Sequence, residues 1–203
     1  MSILPNALEN LIESFSILPG VGQKTAERYA YYLMKQPDSS SLKLANSLLA
    51  LKKNIKLCPI TFALINNNET ISSLYSNNNR DKTIIAIVAE PFDIISIENT
   101  TKYHGTYHVL GGLVSPLDGI SPDDLHINEL LERIKKDKVK EIILATSASV
   151  EGESTALYIQ KKITEYKADM IITRLARGLP IGLDIEYADQ ITLSRAIENR
   201  QTF

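Results

Sequence analysis

Ile17-Leu18-Pro19-Gly20-Val21-Gly22-Gln23-Lys24-Thr25-Ala26-Glu27-Arg28 sets a short hinge of Pro and Gly between two segments of helical period. The second glycine opens a helix that carries Lys24 and Arg28. Gly20 and Gly22 can take backbone angles closed to other residues, and they put no side chain between the turn's N–H groups and a ligand. A tight turn feeding a helix N-terminus presents unpaired donors and the positive end of the dipole, which suits a phosphate. The i, i+4 spacing puts Lys24 and Arg28 on one face near the turn. Ala26, Tyr29, Ala30 and Leu33 form the other face, which can pack inward. An αα-corner has the same hydrophobic pattern. The paired cations decide for a helix-hairpin-helix that grips a DNA backbone, because phosphates are what such cations neutralise.

Upstream, Leu8, Leu11, Ile12 and Phe15 share one helical face within residues 6–15, with Asn6 as N-cap and Glu9 completing a box with it. Downstream, the second helix runs to about Gln36, where Pro37 stops it. A third helix, capped near residues 38–41, carries Leu42, Ala45, Leu48 and Leu49. Residues 1–55 are therefore a small helical bundle. Residues 16–57 hold seven lysines and arginines against two acids, a net of +5 in a chain of net charge −2. A basic N-terminal module on an acidic body concentrates the favourable field at the hairpin. For the outlying lysines a solvated face explains the charge equally well.

The chain has 203 residues, 44% hydrophobic and 23% charged, the balance of an ordinary globular protein of one large domain or two to three small ones. One cysteine, Cys58, excludes an intrachain disulfide framework and fits a reducing compartment. No apolar run is long enough to span a bilayer and no signal-peptide pattern is visible, so a cytoplasmic, nucleoid-associated location is expected.

Residues 56–79 place two Asn triplets around short apolar runs, the pattern of a small β-rich knob. From Arg80 onward, strand and helix alternate. Ile84 to Ala89, Tyr107 to Leu110, Glu141 to Ala145 and Met170 to Thr173 are strand candidates. Helices are expected from Pro91 to Ile97, from Ser121 with acids in its first turn, and from Glu151 to about Tyr166. Such alternation predicts a mostly parallel sheet with helices on both faces. Ligands bind such sheets beyond the C-terminal strand ends, where Glu90 and the loop from Thr146 to Glu153 lie. The fold class is α+β in several modules: helical bundle, knob, α/β domain and a helical tail.

Several strings resemble the RecR family of bacterial recombination mediators. They are Leu18 to Arg28, Arg80-Asp81, Tyr107 to Pro122, Ala145 to Ala156 and Thr173 to Gly182. The similarity covers essentially the whole chain. It implies a helix-hairpin-helix module at 1–55, a knob at 56–79, a Toprim domain at 80–177 and an oligomerisation segment at 178–203. It also implies a ring-like homotetramer with swapped terminal contacts, acting with RecO-like and RecF-like partners to load recombinase on gapped DNA. The family's knob holds zinc through four cysteines. Here the ligand positions fall on Cys58, Thr61, Ser72 and Tyr75, so three ligands are missing. A lone thiolate cannot close a structural zinc site, and no zinc is expected. Since such an ion contributes about 10–16 kcal/mol to folding, an apolar cluster of Leu57, Ile60, Phe62, Leu64, Ile65, Ile71, Leu74 and Tyr75 is expected to replace it. Cys58 itself is expected to be a small buried hydrophobe.

Catalytic Toprim enzymes pair a strand-end Glu with an Asp-x-Asp to hold magnesium, as a hard cation requires. Glu90 matches the first element, but Thr146, Ser147 and Ala148 stand where the aspartates would be. Glu90, Glu151 and Glu153 remain candidates for a metal or partner-docking site, while Glu151 and Glu153 suit the helix dipole equally well. His104 and His108 are expected to be structural. Arg174 and Arg177 follow a strand end and are placed to reach phosphate or a neighbouring subunit. Gly178 to Gly182 lacks the Lys-Ser/Thr of a phosphate loop, and the acidic Asp184, Glu186 and Asp189 give an ATP role little support. The expected function is a non-enzymatic, sequence-tolerant DNA clamp using Gly20, Gly22, Lys24 and Arg28. The rivals are a magnesium-dependent Toprim enzyme that nicks or passes strands, and an adaptor that never touches DNA.

Overall fold

The computed structural model describes residues 3–176 and 178–200; Arg177 lies outside the described residues. The chain divides into two units after Ile55.

In the first unit, α1 (Asn6–Ser16), α2 (Gln23–Lys35) and α3 (Asp38–Asn54) follow one another. Ile12, Ala26 and Ala30 are buried, with Leu8, Leu11, Phe15 and Val21 packed around them. Phe15 meets Tyr29 edge-on at 5.9 Å between ring centroids. The cap of α1 differs from expectation. Asn6 is already helical, and Pro5 holds the cap position, its carbonyl accepting from the N–H groups of Leu8 and Glu9. Proline's fixed φ sets the helix entry there, so the Asn6 side chain does not cap. α3 buries no residue, and Leu42, Leu48 and Leu49 are all more than 60% exposed.

The second unit is built on a four-stranded parallel sheet in the order β4-β3-β5-β6. Its strands are β3 (Asp81–Val88), β4 (Gly105–Val109), β5 (Glu141–Leu144) and β6 (Ile171–Arg174). Strand alternation divides the side chains between two faces. Ile85, Ile87, Ile142 and Leu144 pack with α6 (Ile127–Lys136) and α7 (Val150–Tyr166) through Leu130, Ile134, Ile159 and Ile163. Ala86, Val88, Tyr107 and Val109 face the other way, toward Ile94 of α5 (Asp93–Glu98) and toward Ala63. The expected helix at Ser121 is a 3-10 turn over Pro122–Asp124, and α6 begins only at Ile127. The Asp124 carboxylate accepts from the Ser121 N–H and hydroxyl at 2.8 and 2.7 Å, which closes the turn on itself. A last helix, α8 (Gln190–Glu198), buries no residue.

The knob comprises β1 (Ile55–Leu57), β2 (Leu64–Asn66) and the one-turn α4 (Ser73–Ser76). The apolar cluster expected to hold it together does not form as such. Leu57, Leu64 and Ile71 are exposed, whereas Ala63, Phe62 and Leu74 pack onto the core of the sheet. A segment this short cannot bury enough apolar surface by itself. It docks instead on the free edge of β4, where Val109 donates to the Thr61 carbonyl at 2.9 Å. Phe62, at φ +57°, stacks its ring on His126 at 3.7 Å and meets His108 edge-on. His108 is structural, fully buried with Nε2 against the His126 carbonyl at 2.7 Å. Cys58 is fully buried, yet its sulfur is a hydrogen-bond acceptor rather than inert packing, with the Ser72 N–H at 3.3 Å. Burial pushes its thiol pKa up, but the Thr61 hydroxyl and the N–H groups of Ser72, Ile60 and Thr61 outweigh that and hold it below the usual value.

Candidate nucleic-acid interface

The hairpin between α1 and α2 is a hydrogen-bonded turn in which Val21 N–H donates to the Leu18 carbonyl at 3.0 Å. Pro19 and Gly20 occupy its centre, and Gly20 has φ +78°, the value a type II turn needs at its third position. Gly22 is extended (φ −79°, ψ 167°) and stands at the N-cap of α2. Its carbonyl accepts from Thr25 and Ala26 at 2.9 and 3.0 Å. No side chain caps this end, and the N–H groups of Gly22, Gln23 and Lys24 have no partner among the described residues. A Cβ built on Gly20 or Gly22 meets nothing within 4 Å, so the approach to these amides is open.

Lys24 and Arg28 are exposed on the side of α2 opposite the fully buried Ala26 and Ala30. Neither has an ion-pair partner among the described residues. All four sequence-predicted residues therefore share one solvent-facing end of α2: a bare amide cradle, a positive helix end and two cations open to a ligand.

The second set of candidate residues lies beyond the C-terminal ends of the strands. The connections after β3 and β5 lead to opposite sides, which makes the ends of these two neighbouring strands the topological switch point of the sheet. Glu90 follows β3 there and is exposed. Beside it, Gly111 and Gly112 donate to the Ala89 carbonyl at 3.0 and 3.1 Å. The loop after them is tied to α7 by Val114 N–H donating to Thr155 Oγ1 at 2.9 Å. After β5, Thr146 Oγ1 donates to the Gly152 carbonyl at 3.1 Å, and Ser149 caps α7 by accepting from Gly152 N–H. Gly152 is required by this close approach, because a Cβ on it would lie 2.2 Å from the Ser147 carbonyl oxygen.

The three candidate acids are not equivalent. Glu153 is held bidentately by Arg174 at the end of β6, at 2.7 and 2.9 Å, while Glu90 follows β3 and Glu151 lies in the first turn of α7, both outside that pair. Among the described residues, no three His, Cys, Asp or Glu side chains are grouped to hold a metal ion. Arg174, singled out in the sequence for phosphate or a neighbouring subunit, is engaged inside its own chain instead. That pairing spans 21 positions and has no local signal; Gly152 between two acids at a helix start is the one visible hint of a close approach.

Comparison with known proteins decides the family. The sequence model described as RecR, helix-hairpin-helix, matches residues 8–52, that of the Toprim domain matches 83–176, and RecR, C-terminal, matches 178–201. The chain is 45% identical over 203 residues to the recombination protein RecR of Cyanothece sp., covering 98% of each chain. It is 44% identical to that of Treponema denticola, over 98% of this chain and all of the other. The Lactococcus lactis subsp. cremoris protein is 43% identical over 97% of both. The chain belongs to the RecR family.

Within that family, the hairpin described above falls inside the matched helix-hairpin-helix segment, and the parallel sheet falls inside the matched Toprim segment. Catalytic Toprim domains imply a magnesium ion at the edge where Glu90 lies. The donors here do not fit one. Hydroxyl and methyl side chains follow β5, and Glu153 already carries a guanidinium, so the clustered carboxylate oxygens a hard cation requires are not assembled among the described residues. No described helix is long and apolar enough to cross a membrane.

Proposed function

We propose that this RecR family chain is a non-enzymatic clamp on DNA that serves recombinational repair, with the start of α2 as its grip. The observation that carries the reading is the open N-terminus of α2. There, three N–H groups without a partner among the described residues stand beside the exposed side chains of Lys24 and Arg28. Amides and cations of this kind bind phosphate and read no bases, so duplex and gapped DNA of any sequence are the expected ligands.

The relatives named recombination protein RecR support the repair role. Loading of recombinase with RecO-like and RecF-like mediators is part of the proposal, with the acids beyond the strand ends, Glu90 after β3 and Glu151 in the first turn of α7, as its docking face. A ring-shaped homotetramer is proposed as well. In its support, α3 and α8 bury nothing, and an apolar hollow of about 660 Å³ opens among Leu8, Leu11, Phe15, Leu33, Leu44 and Leu48.

Lys24→Glu combined with Arg28→Glu reverses both charges at exposed positions. The double variant is expected to keep the wild-type melting curve and lose retention of duplex and gapped DNA in a gel shift. Unchanged retention overturns the assignment to the hairpin.

A further inference from the structure

The resemblance to zinc-bearing RecR knobs implies an ion at Cys58, Thr61, Ser72 and Tyr75. The donors do not fit it: one thiol with three hydroxyl side chains is not a structural zinc set, which takes Cys and His or carboxylate ligands. Yet the four positions still belong to one buried place, at 0, 0, 3 and 9% exposure. Cys58 Sγ accepts from Ser72 N–H, and Cys58 N–H donates to the Ala63 carbonyl at 2.8 Å while its own carbonyl accepts from Phe62 N–H at 3.0 Å. These bonds fold residues 58–63 back on themselves, and the Cys58 sulfur is bonded to a protein group.

We propose that this knob folds without metal, and that Tyr75, at the fourth ligand position, replaces the ion by fastening the knob to a buried polar pair, Arg133 of α6 and Asp137 just beyond its end. The Tyr75 hydroxyl donates to Asp137 Oδ1 at 2.8 Å, across 62 positions of sequence. Asp137 in turn accepts from Arg133 Nε at 3.1 Å, and both side chains are about 95% buried. The other guanidinium nitrogens donate to the Tyr107 carbonyl and to Thr106 Oγ1, so Arg133 is anchored to β4 as well. Two cations lie over the Tyr75 ring, Lys82 Nζ at 4.6 Å and the Arg133 guanidinium at 5.1 Å from its centroid. Each side chain along this network, from Tyr75 through Asp137 and Arg133 to Thr106, has a partner, the condition under which buried polar groups stabilise. A zinc ion would tie the knob only to itself. The tyrosine ties it to the sheet.

The test uses the full-length chain, purified without chelator. Zinc by elemental analysis is expected to be far below one per chain, and thermal melts with and without EDTA are expected to coincide. Tyr75→Phe keeps the ring and removes the tether. In that variant the Cys58 and Phe62 amides should exchange with deuterium about 10- to 100-fold faster, the loss expected for one hydrogen bond to a charged group, while β5 amides are unchanged. Stoichiometric zinc, a melt lowered by EDTA, or undiminished protection of the knob in Tyr75→Phe would each overturn the proposal.

Discussion

His108 shows how one residue couples the fold to pH. Burial, the largest influence, drives its pKa from 6.5 down to about 3, with the carbonyl of His126 opposing the shift and Arg133 and His126 reinforcing it. The imidazole is thus neutral in the folded protein, while an unfolded chain takes up a proton below pH 6.5. Folding stability contributed by this residue is complete above pH 6.5 and falls as the pH drops toward 3, at about 1.4 kcal/mol per unit. Urea unfolding at pH 7.0 and 5.5, run on wild type and His108→Asn, measures this. The variant should be less stable at neutral pH and show a flatter decline; equal declines would mean that His108 is not the proton-linked group.

In the hairpin, a backbone conformation at Gly20 closes the turn between the two packed helices. Gly20 at φ +78° has empty space where a Cβ would go, so Gly20→Ala creates strain without a clash and should cost about 1–2 kcal/mol. A thermal melt of that variant should show the loss, and weaker DNA binding should accompany it as the turn relaxes; an unchanged melt would contradict the turn assignment. The hairpin is legible in sequence because its determinants are local: Pro and Gly adjacent at a turn, and cations four residues apart. The strands are legible as continuous apolar runs, with ends displaced by up to three residues where pairing partners, not composition, fix the boundary. The cap of α1, the 3-10 turn at Pro122 and the support of the knob are not legible in this way. Tyr75 finds Asp137 and Glu153 finds Arg174 only because the chain folds back, and no periodicity marks such pairs.

For the whole molecule, the basic hairpin and the acidic remainder divide the work. On the proposed reading, positive charge in residues 16–57 draws the phosphate backbone to that module, and the net negative charge elsewhere discourages other modes of binding. The parallel sheet lies within the segment that the Toprim model matches, and there Arg174 holds Glu153 in a bidentate pair, so that carboxylate is already occupied. On the proposed reading, DNA binding is phosphate neutralisation at the start of α2. It is tested most directly by measuring the DNA association constant against salt for wild type and for Lys24→Ala with Arg28→Ala. The slope of log K against log salt should become shallower in the double variant, by about 0.9 for each phosphate that is no longer neutralised on duplex DNA; an identical slope in the two proteins would show that DNA is held elsewhere.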